Sequence, residues 1–265
     1  MNNDKLYIGE VAKLLGIASD TLRYFDKEGI VTAKKNAHNY RYYDDWDINF
    51  LIEYKKYRSF GYNVQEAKEI LYEDDLDQLT DKFAENQKEL SKKIRKYQLI
   101  LDKNQRYIEH LRHIKLKIGQ YVMTDMIDVY YFPMRYNNTY LCKPDIAFMM
   151  NEWMNYFPIV DPALIIEDSS NHDYECALSI PAYYQQQIHL PFNDLVKHTK
   201  SSKAINTIIV AGDKNTFSTD LLNPIYEYIQ SQHYEINGTI IGYYLARVHE
   251  KDGYKRYIDL FVPIK

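Results

Sequence analysis

The chain has 265 residues, 26% charged and 46% hydrophobic, with a formal net charge of −4, a balance ordinary for a soluble protein long enough to hold two domains. No apolar run approaches a bilayer span, the start "MNNDKLYIGE" lacks the basic and apolar regions of a secretion signal, and two cysteines, Cys142 and Cys176, give neither a disulfide framework nor a zinc spacing. A reduced cytoplasm fits, and any nucleic-acid-binding patch has to come from arrangement because total charge does not supply it.

Residues 1–75 predict short helices with clear punctuation. In "GEVAKLLG" the residues Val11, Leu14 and Leu15 share one face, and Gly16 is suited to a C-terminal stop. Ser19 is the expected N-cap of "DTLRYFDKEG", which Gly29 ends. The turn Gly16-Ile17-Ala18 between them makes a helix-turn-helix candidate, with Ala12 small at the crossing and Leu15, Ile17, Leu22 and Phe25 forming a shared core. Next, "IVTAKKNAHNYRYY" predicts a two-stranded wing whose turn spans Asn36 to Asn39, with Asn39 tolerating a left-handed backbone. Asp44 or Asp45 caps a third helix, "WDINFLIEYKKYRSFG", and Asn63 with Glu66 opens a fourth, "VQEAKEIL".

Residues 76–120 predict one long helix. Steps of four and three from Phe83 visit Gln87, Leu90, Ile94, Tyr97, Leu101, Asn104, Ile108, Leu111, Lys115 and Ile118, a mostly apolar coiled-coil seam with one Asn to fix register. An antiparallel coiled coil joining two copies of the chain is expected, although the same stripe also suits packing within the chain. Residues 121–265 then run strand-helix-strand-strand twice, each time ending in strand-Pro. A duplicated β-α-β-β domain, one sheet with both helices on one face, is the natural expectation.

The chain is rich in tyrosine, 27 against 10 Phe, a side chain that both stacks and hydrogen-bonds. The densest case is "HNYRYYDD", residues 38–45, which has little aliphatic content and suits contact with something outside the protein. With "IGEVAKLLG", "TLRYFDKEGI" and "NYRYYDD" in place, and "YRSFGYNVQEAKEIL" following, the first 75 residues resemble the MerR family of transcriptional regulators. Phe25, Ile30 and Asn39 are the departures, standing where the family has Tyr, Leu and Gly. The resemblance implies a winged helix-turn-helix that binds double-stranded promoter DNA as a homodimer. It also implies that the dimer untwists an overlong promoter spacer so that RNA polymerase can engage it. Arg23 and Tyr24 are then the candidate base and phosphate readers, accompanied on their helix by Ser19, Thr21 and Lys27. Tyr40, Arg41 and Tyr42 in the wing, and Arg58, are the candidate backbone contacts. The less favoured alternatives are that Arg23 pairs with Asp20 or Glu28 and that Tyr42 packs within the wing.

Metal-sensing members carry cysteines near the start of the dimer helix, which this chain lacks, so no metal is expected, and no cofactor. The scattered His172, His189 and His198 suggest none either. The C-terminal duplication, ending "RYIDLFVPIK", resembles the gyrase-inhibitor-like effector domain of the multidrug-responsive branch, where a glutamate stands four residues before the proline. Here that position is Asp259. Alternation puts Tyr257, Asp259 and Phe261 on one strand face, an acid between aromatics that suits a small aromatic or cationic drug-like ligand. Glu175, with the small Ala177 and Ser179, occupies the matching place in the first repeat; Tyr131, Trp153, Tyr243 and Tyr244 are candidate walls. The whole is expected to be an α+β multidomain protein: a winged helix-turn-helix head at 1–75, a coiled-coil dimerisation helix at 76–120 and an effector-binding domain at 121–265. A non-enzymatic, cytoplasmic activator of an efflux or detoxification promoter is the expected function. The alternatives are an effector domain that hydrolyses small electrophiles, or one that sequesters drugs.

Overall fold

In the computed structural model, which describes residues 5–170, 173–188, 190–213 and 217–265, His172 and His189 lie outside the described residues. The chain divides into two compact units, the first ending at Lys93 and the second beginning at Ile94. Among the described residues no helix is long and apolar enough to cross a membrane.

The first unit opens with strand β1 (Leu6–Tyr7), then helices α1 (Ile8–Leu15) and α2 (Ser19–Lys27). Gly16 closes α1 at φ +62°, a left-handed conformation that a Cβ would penalise. Ser19 is not the N-cap of α2: Ala18 holds the extended cap conformation, and its carbonyl accepts the amides of Thr21 and Leu22. The turn is one residue shorter than the side-chain preference suggested, so Ser19 becomes the first helical residue. Strands β2 (Lys34–Lys35) and β3 (Arg41–Tyr43) form the wing, with β1 completing a sheet ordered β1-β3-β2. Asn36 accepts the amides of His38 and Tyr40 at 2.9 and 3.0 Å, and Asn39 takes φ +66° at the tip. Helices α3 (Asp45–Ser59) and α4 (Val64–Tyr72) follow, each opened by a reciprocal capping box, Asp44 with Asp47 and Asn63 with Glu66. Val11, Leu22, Tyr43, Leu51 and Ala67 are fully buried in one core. Each large apolar side chain so buried contributes about 1.5–3 kcal/mol.

Helix α5 (Leu76–Lys117) is continuous. In the first unit its Leu79 and Phe83 pack on the head core, Phe83 meeting Tyr57, Phe60 and Tyr62 edge-on. Beyond residue 93, seam positions stay open: Tyr97 is 69% and Leu101 66% exposed.

The rest of the second unit is an antiparallel sheet of β4 (Val122–Met126), β5 (Val129–Tyr136), β6 (Thr139–Tyr140), β7 (Asp161–Ile166), β8 (Glu175–Pro181), β9 (Lys197–Thr199), β10 (Ser202–Ala211), β11 (Ile240–Glu250) and β12 (Gly253–Pro263). The order is β4-β10-β12-β11-β7-β8-β5-β6, with β9 beside β5. Helix α6 (Pro144–Met154) follows β6, the short α7 (Ala182–Gln185) follows β8, and α8 (Asn223–Ser231) follows β10. Both long helices use one sheet face: α6 packs Ile146, Met149 and Trp153 on Phe132, Leu178 and Ile180. On the same face α8 packs Ile225 and Ile229 on Leu164, Leu260 and Val262. Gly242 lies in this layer, and a Cβ there would come within 2.7 Å of Ile258, so only hydrogen fits. On the opposite face, Ile114 of α5 packs on Ile208, Leu245 and Tyr257.

Candidate functional site

The head turns its polar side chains outward. Tyr24 is 46% and Tyr40 66% exposed, and Arg23, Lys27 and Arg58 are exposed as well. Ser19 and Thr21 are half-buried at the start of α2, as are Arg41 and Tyr42 in the wing. Arg23 pairs with Asp20, one helical turn away, and both are largely solvated. The Arg41 Nε donates to Asp26 at 2.9 Å, which ties the wing to α2. Lys5 sits 4.9 Å from the centre of the Tyr42 ring, and the Arg58 guanidinium donates to the Tyr62 carbonyl. Wing and α2 are thus braced as one surface with its cations partly held by internal partners.

In the second unit the sheet register builds a row of facing side chains. Asp259 lies opposite Ile208 on one side and Tyr243 on the other; Tyr243 faces Ala163, and Ala163 faces Ala177. Ala163 and Ala177 are fully buried in a cluster with Tyr131, Ile165 and Ile241, and α5 crosses the Asp259–Tyr243 end of this face. The result is a cavity of 240 Å³ walled by Tyr243, Tyr244, Asp259 and Phe261 from the sheet and by Lys103, Arg106, Tyr107 and His110 from the helix.

The polar groups of this cavity differ in their compensation. Asp161 is paired with Lys103. Arg106 lies 3.3 Å from Asp102 and stacks 5.3 Å from the Tyr183 ring. Asp259, 4% exposed, accepts from the Asn206 amide at 2.7 Å and has no ion pair among the described residues. Burial pushes its carboxyl above the usual aspartate value, against the opposing pull of Asn206, His110 and Lys117. Asp161 is raised for the same reason, against Lys103 and His110. Burial raises the Tyr243 phenol too. The cavity therefore combines aromatic walls, cationic side chains from α5 and one carboxyl, Asp259, without an ion pair among the described residues.

Of the eight residues expected to bind a ligand, Tyr243, Tyr244, Asp259 and Phe261 meet at this cavity. The other four lie elsewhere. Trp153 is fully buried under α6, with its indole donating to the Pro191 carbonyl at 3.0 Å. Tyr257 packs on Ile114 and donates to Glu250 at 3.0 Å. Tyr131 donates to Glu167 at 2.8 Å, and Lys197 lies 2.7 Å from Glu167 and 3.5 Å from Glu175. Glu175 therefore already has a cation, although burial raises its carboxyl. The helix wall was missed. Its signal was present: 103, 106, 107 and 110 are spaced to share one helical face beside the apolar seam. Asp161 and Tyr183 carried no local signal.

Residues 6–74 match the model of the MerR HTH family regulatory proteins. The regulator HmrR of Rhizobium leguminosarum bv. viciae is 30% identical over 111 residues, covering 40% of this chain and 83% of that protein. HmrR of Sinorhizobium medicae is 35% identical over 65 residues, covering 24% of this chain. The chain spans 44% of that relative's length. The cryo-EM structure of the EcmrR–DNA complex in EcmrR-RPo aligns over 98% of this chain and 99% of that one, at 16% identity and a TM-score of 0.39.

Proposed function

The chain belongs to the MerR family of DNA-binding helix-turn-helix transcription regulators, and from that premise we propose that it is switched by a compact aromatic cation held over Asp259. Arg23 and Tyr24, with Ser19, Thr21 and Lys27, enter the major groove. Tyr40, Arg41 and Tyr42 of the wing, with Arg58, grip the phosphate backbone. Two copies join through the exposed stripe of α5, which sets the distance between their recognition helices. The dimer retunes a promoter for RNA polymerase by deforming its spacer, and the regulated gene serves efflux or detoxification. In this reading the head is 1–75, the dimer helix 76–120 and the effector domain, of gyrase-inhibitor type, 121–265. The strand order supports an origin by duplication, since β10-β12-β11 and β5-β8-β7 run inward to the same central seam between β11 and β7.

The observation that carries the ligand class is the buried Asp259 carboxyl, without a cationic partner among the described residues, beside Tyr243 and Phe261. Size narrows it: 240 Å³ is just under the roughly 300–1,000 Å³ of typical small-molecule sites, so a ligand of one or two rings fits better than a larger one. Its contacts with Lys103, Tyr107 and His110 would bear directly on the dimer helix, which gives the signal a short path.

A thermal-shift screen of cationic, neutral and anionic aromatic compounds tests this. Compact cations should raise the melting temperature of the wild type by mass action and leave Asp259→Asn unmoved. Stabilisation by neutral or anionic compounds alone would sink the cation reading and leave the head untouched.

A further inference from the structure

The sheet side of the cavity beneath α5 carries two polar groups side by side whose hydrogen bonding is incomplete. Asp259, 4% exposed, lines the 240 Å³ space. The Asn206 amide donates both of its hydrogens, to Asp259 Oδ1 at 2.7 Å and to the Leu260 carbonyl at 3.1 Å. Asn206 is itself buried, so it fixes the carboxyl and has no donor left for the second oxygen. Oδ2 therefore has no hydrogen-bond donor among the described residues. Tyr243 stands directly opposite Asp259 in the β11–β12 register, which puts both side chains on one sheet face. Its ring is set edge-on to Phe261, centroids 6.0 Å apart at 76°. Its hydroxyl also has no hydrogen-bond partner among the described residues, and burial raises the phenol.

The helix wall is committed elsewhere. Lys103 pairs with Asp161, Arg106 with Asp102, and Tyr107 donates to the Leu245 carbonyl. His110 and Lys117 pull on Asp259 electrostatically without a hydrogen bond to it. A polar group held away from water without a partner is costly, so a ligand that gives hydrogens to both oxygens gains more than its charge alone supplies. N–H bonds to a carboxylate are charge-assisted and about twice as strong as neutral ones. A quaternary ammonium carries the charge and suits aromatic walls, but it has no N–H to give. Sites built to hydrogen-bond a ligand reject analogues that lack the matching group far more strongly than apolar sites reject a change of size.

We propose that the ligand is a cation of the aryl amidinium class, planar and with N–H groups on two nitrogens. One nitrogen donates to Asp259 Oδ2, the other to the Tyr243 hydroxyl oxygen, and the aryl group lies beside Phe261. The inference rests on the cation reading of this cavity and narrows it from charge to hydrogen-bonding pattern.

Calorimetric titration of the full chain with benzamidine, phenyltrimethylammonium and benzamide, at neutral pH and fixed ionic strength, tests the proposal. Benzamidine should bind at least about tenfold more tightly than phenyltrimethylammonium, which has the charge without the hydrogens. Benzamide, with N–H groups and no charge, should give no heat. Tyr243→Phe removes one oxygen and keeps the ring, so it should fold like the wild type. It should weaken benzamidine by about tenfold and leave phenyltrimethylammonium unchanged, which separates hydrogen bonding from the greater bulk of the trimethyl group. Asp259→Asn should lose both cations. Phenyltrimethylammonium binding as tightly as benzamidine or more so, or Tyr243→Phe altering both cations equally or neither, would overturn the amidinium class and leave the cation reading standing. Benzamide matching benzamidine, wild-type affinity for either cation in Asp259→Asn, or heat from none of the three would overturn both.

Discussion

The two units place their chemistry in opposite directions. The head has an apolar interior, with Val11, Leu22 and Leu51 fully buried, and puts Arg23, Tyr24 and Arg58 on its surface. The second unit instead buries chemistry: Asp259 at 4% exposure and Tyr243 lie on the sheet beneath α5. A surface that reads a large charged polymer can leave its cations solvated, since the polymer supplies the compensation. A cavity that recognises a small molecule has to hold its polar group away from water, because only there does one charge decide between ligands. Function in the head should therefore be sensitive to surface charge, and its stability to core volume. In the second unit one residue, Asp259, touches both.

The largest expected effect tests the core side of that contrast. Leu22→Ala removes a fully buried side chain from the middle of α2 and should destabilise the head by about 2–5 kcal/mol. Denaturation monitored by head tyrosine signals should show the loss, with cation binding by the second unit retained. Next comes the surface side. Arg23→Ala should weaken promoter binding by about 1–3 kcal/mol at matched salt and leave the melting temperature nearly unchanged. If Arg23→Ala binds as tightly as the wild type, α2 is not placed in the groove by this residue.

For Asp259 the two effects oppose each other, and pH separates them. A carboxyl whose folded pKa is raised binds its proton more tightly in the native state than in the unfolded chain. Stability therefore falls as pH climbs from the ordinary aspartate value through the raised one, and is flat above it. Asp259→Asn should match the wild type at the acid end and exceed it at neutral pH, by on the order of 1 kcal/mol, the low end of the cost of an uncompensated buried polar group. Cation affinity should rise over the same window in the wild type and be absent in the variant. Asp161 is also raised by burial, but it keeps Lys103 in both proteins and cancels in the difference. His110 and Lys117 pull the Asp259 carboxyl the other way, and Asp259→Asn removes that pull together with the cost of burial.

The same contrast explains what could be read from the chain. The head's elements are local: Gly16, the Asn36–Asn39 turn and the two capping boxes act within four residues, so the helix-turn-helix and wing could be placed directly. The error at Ser19 was one of a single residue, because Ala18 could supply the same extended backbone without a side-chain cap. In the second unit, alternation placed Asp259 and Phe261 on one face correctly, since it is a property of one strand. Which face of α5 meets that strand is not local. Lys103, Arg106 and His110 look like solvated helix charges until the sheet is folded beneath them. Trp153 shows the converse: a large aromatic was expected at a ligand, but it fills the α6 layer, where its indole finds the Pro191 carbonyl. Amphipathic side chains are ambiguous in sequence because they suit both places.

The smallest effect gives the finest test of the head. In the free protein Arg23 is engaged by Asp20, whose side chain is 89% exposed. An exposed pair one turn apart contributes about 0.2–0.5 kcal/mol, so Asp20→Asn should barely alter stability. It should nevertheless alter binding. On DNA Arg23 has to exchange Asp20 for a base edge or phosphate, and the carboxylate left behind also repels the backbone. Asp20→Asn removes both costs, so promoter affinity should rise a few-fold, with the gain larger at low salt because the repulsion is long-ranged and screened. Affinity measured at two salt concentrations distinguishes the outcomes. An unchanged affinity would mean that Arg23 keeps Asp20 when bound, and that Tyr24 and Lys27 carry the contact instead.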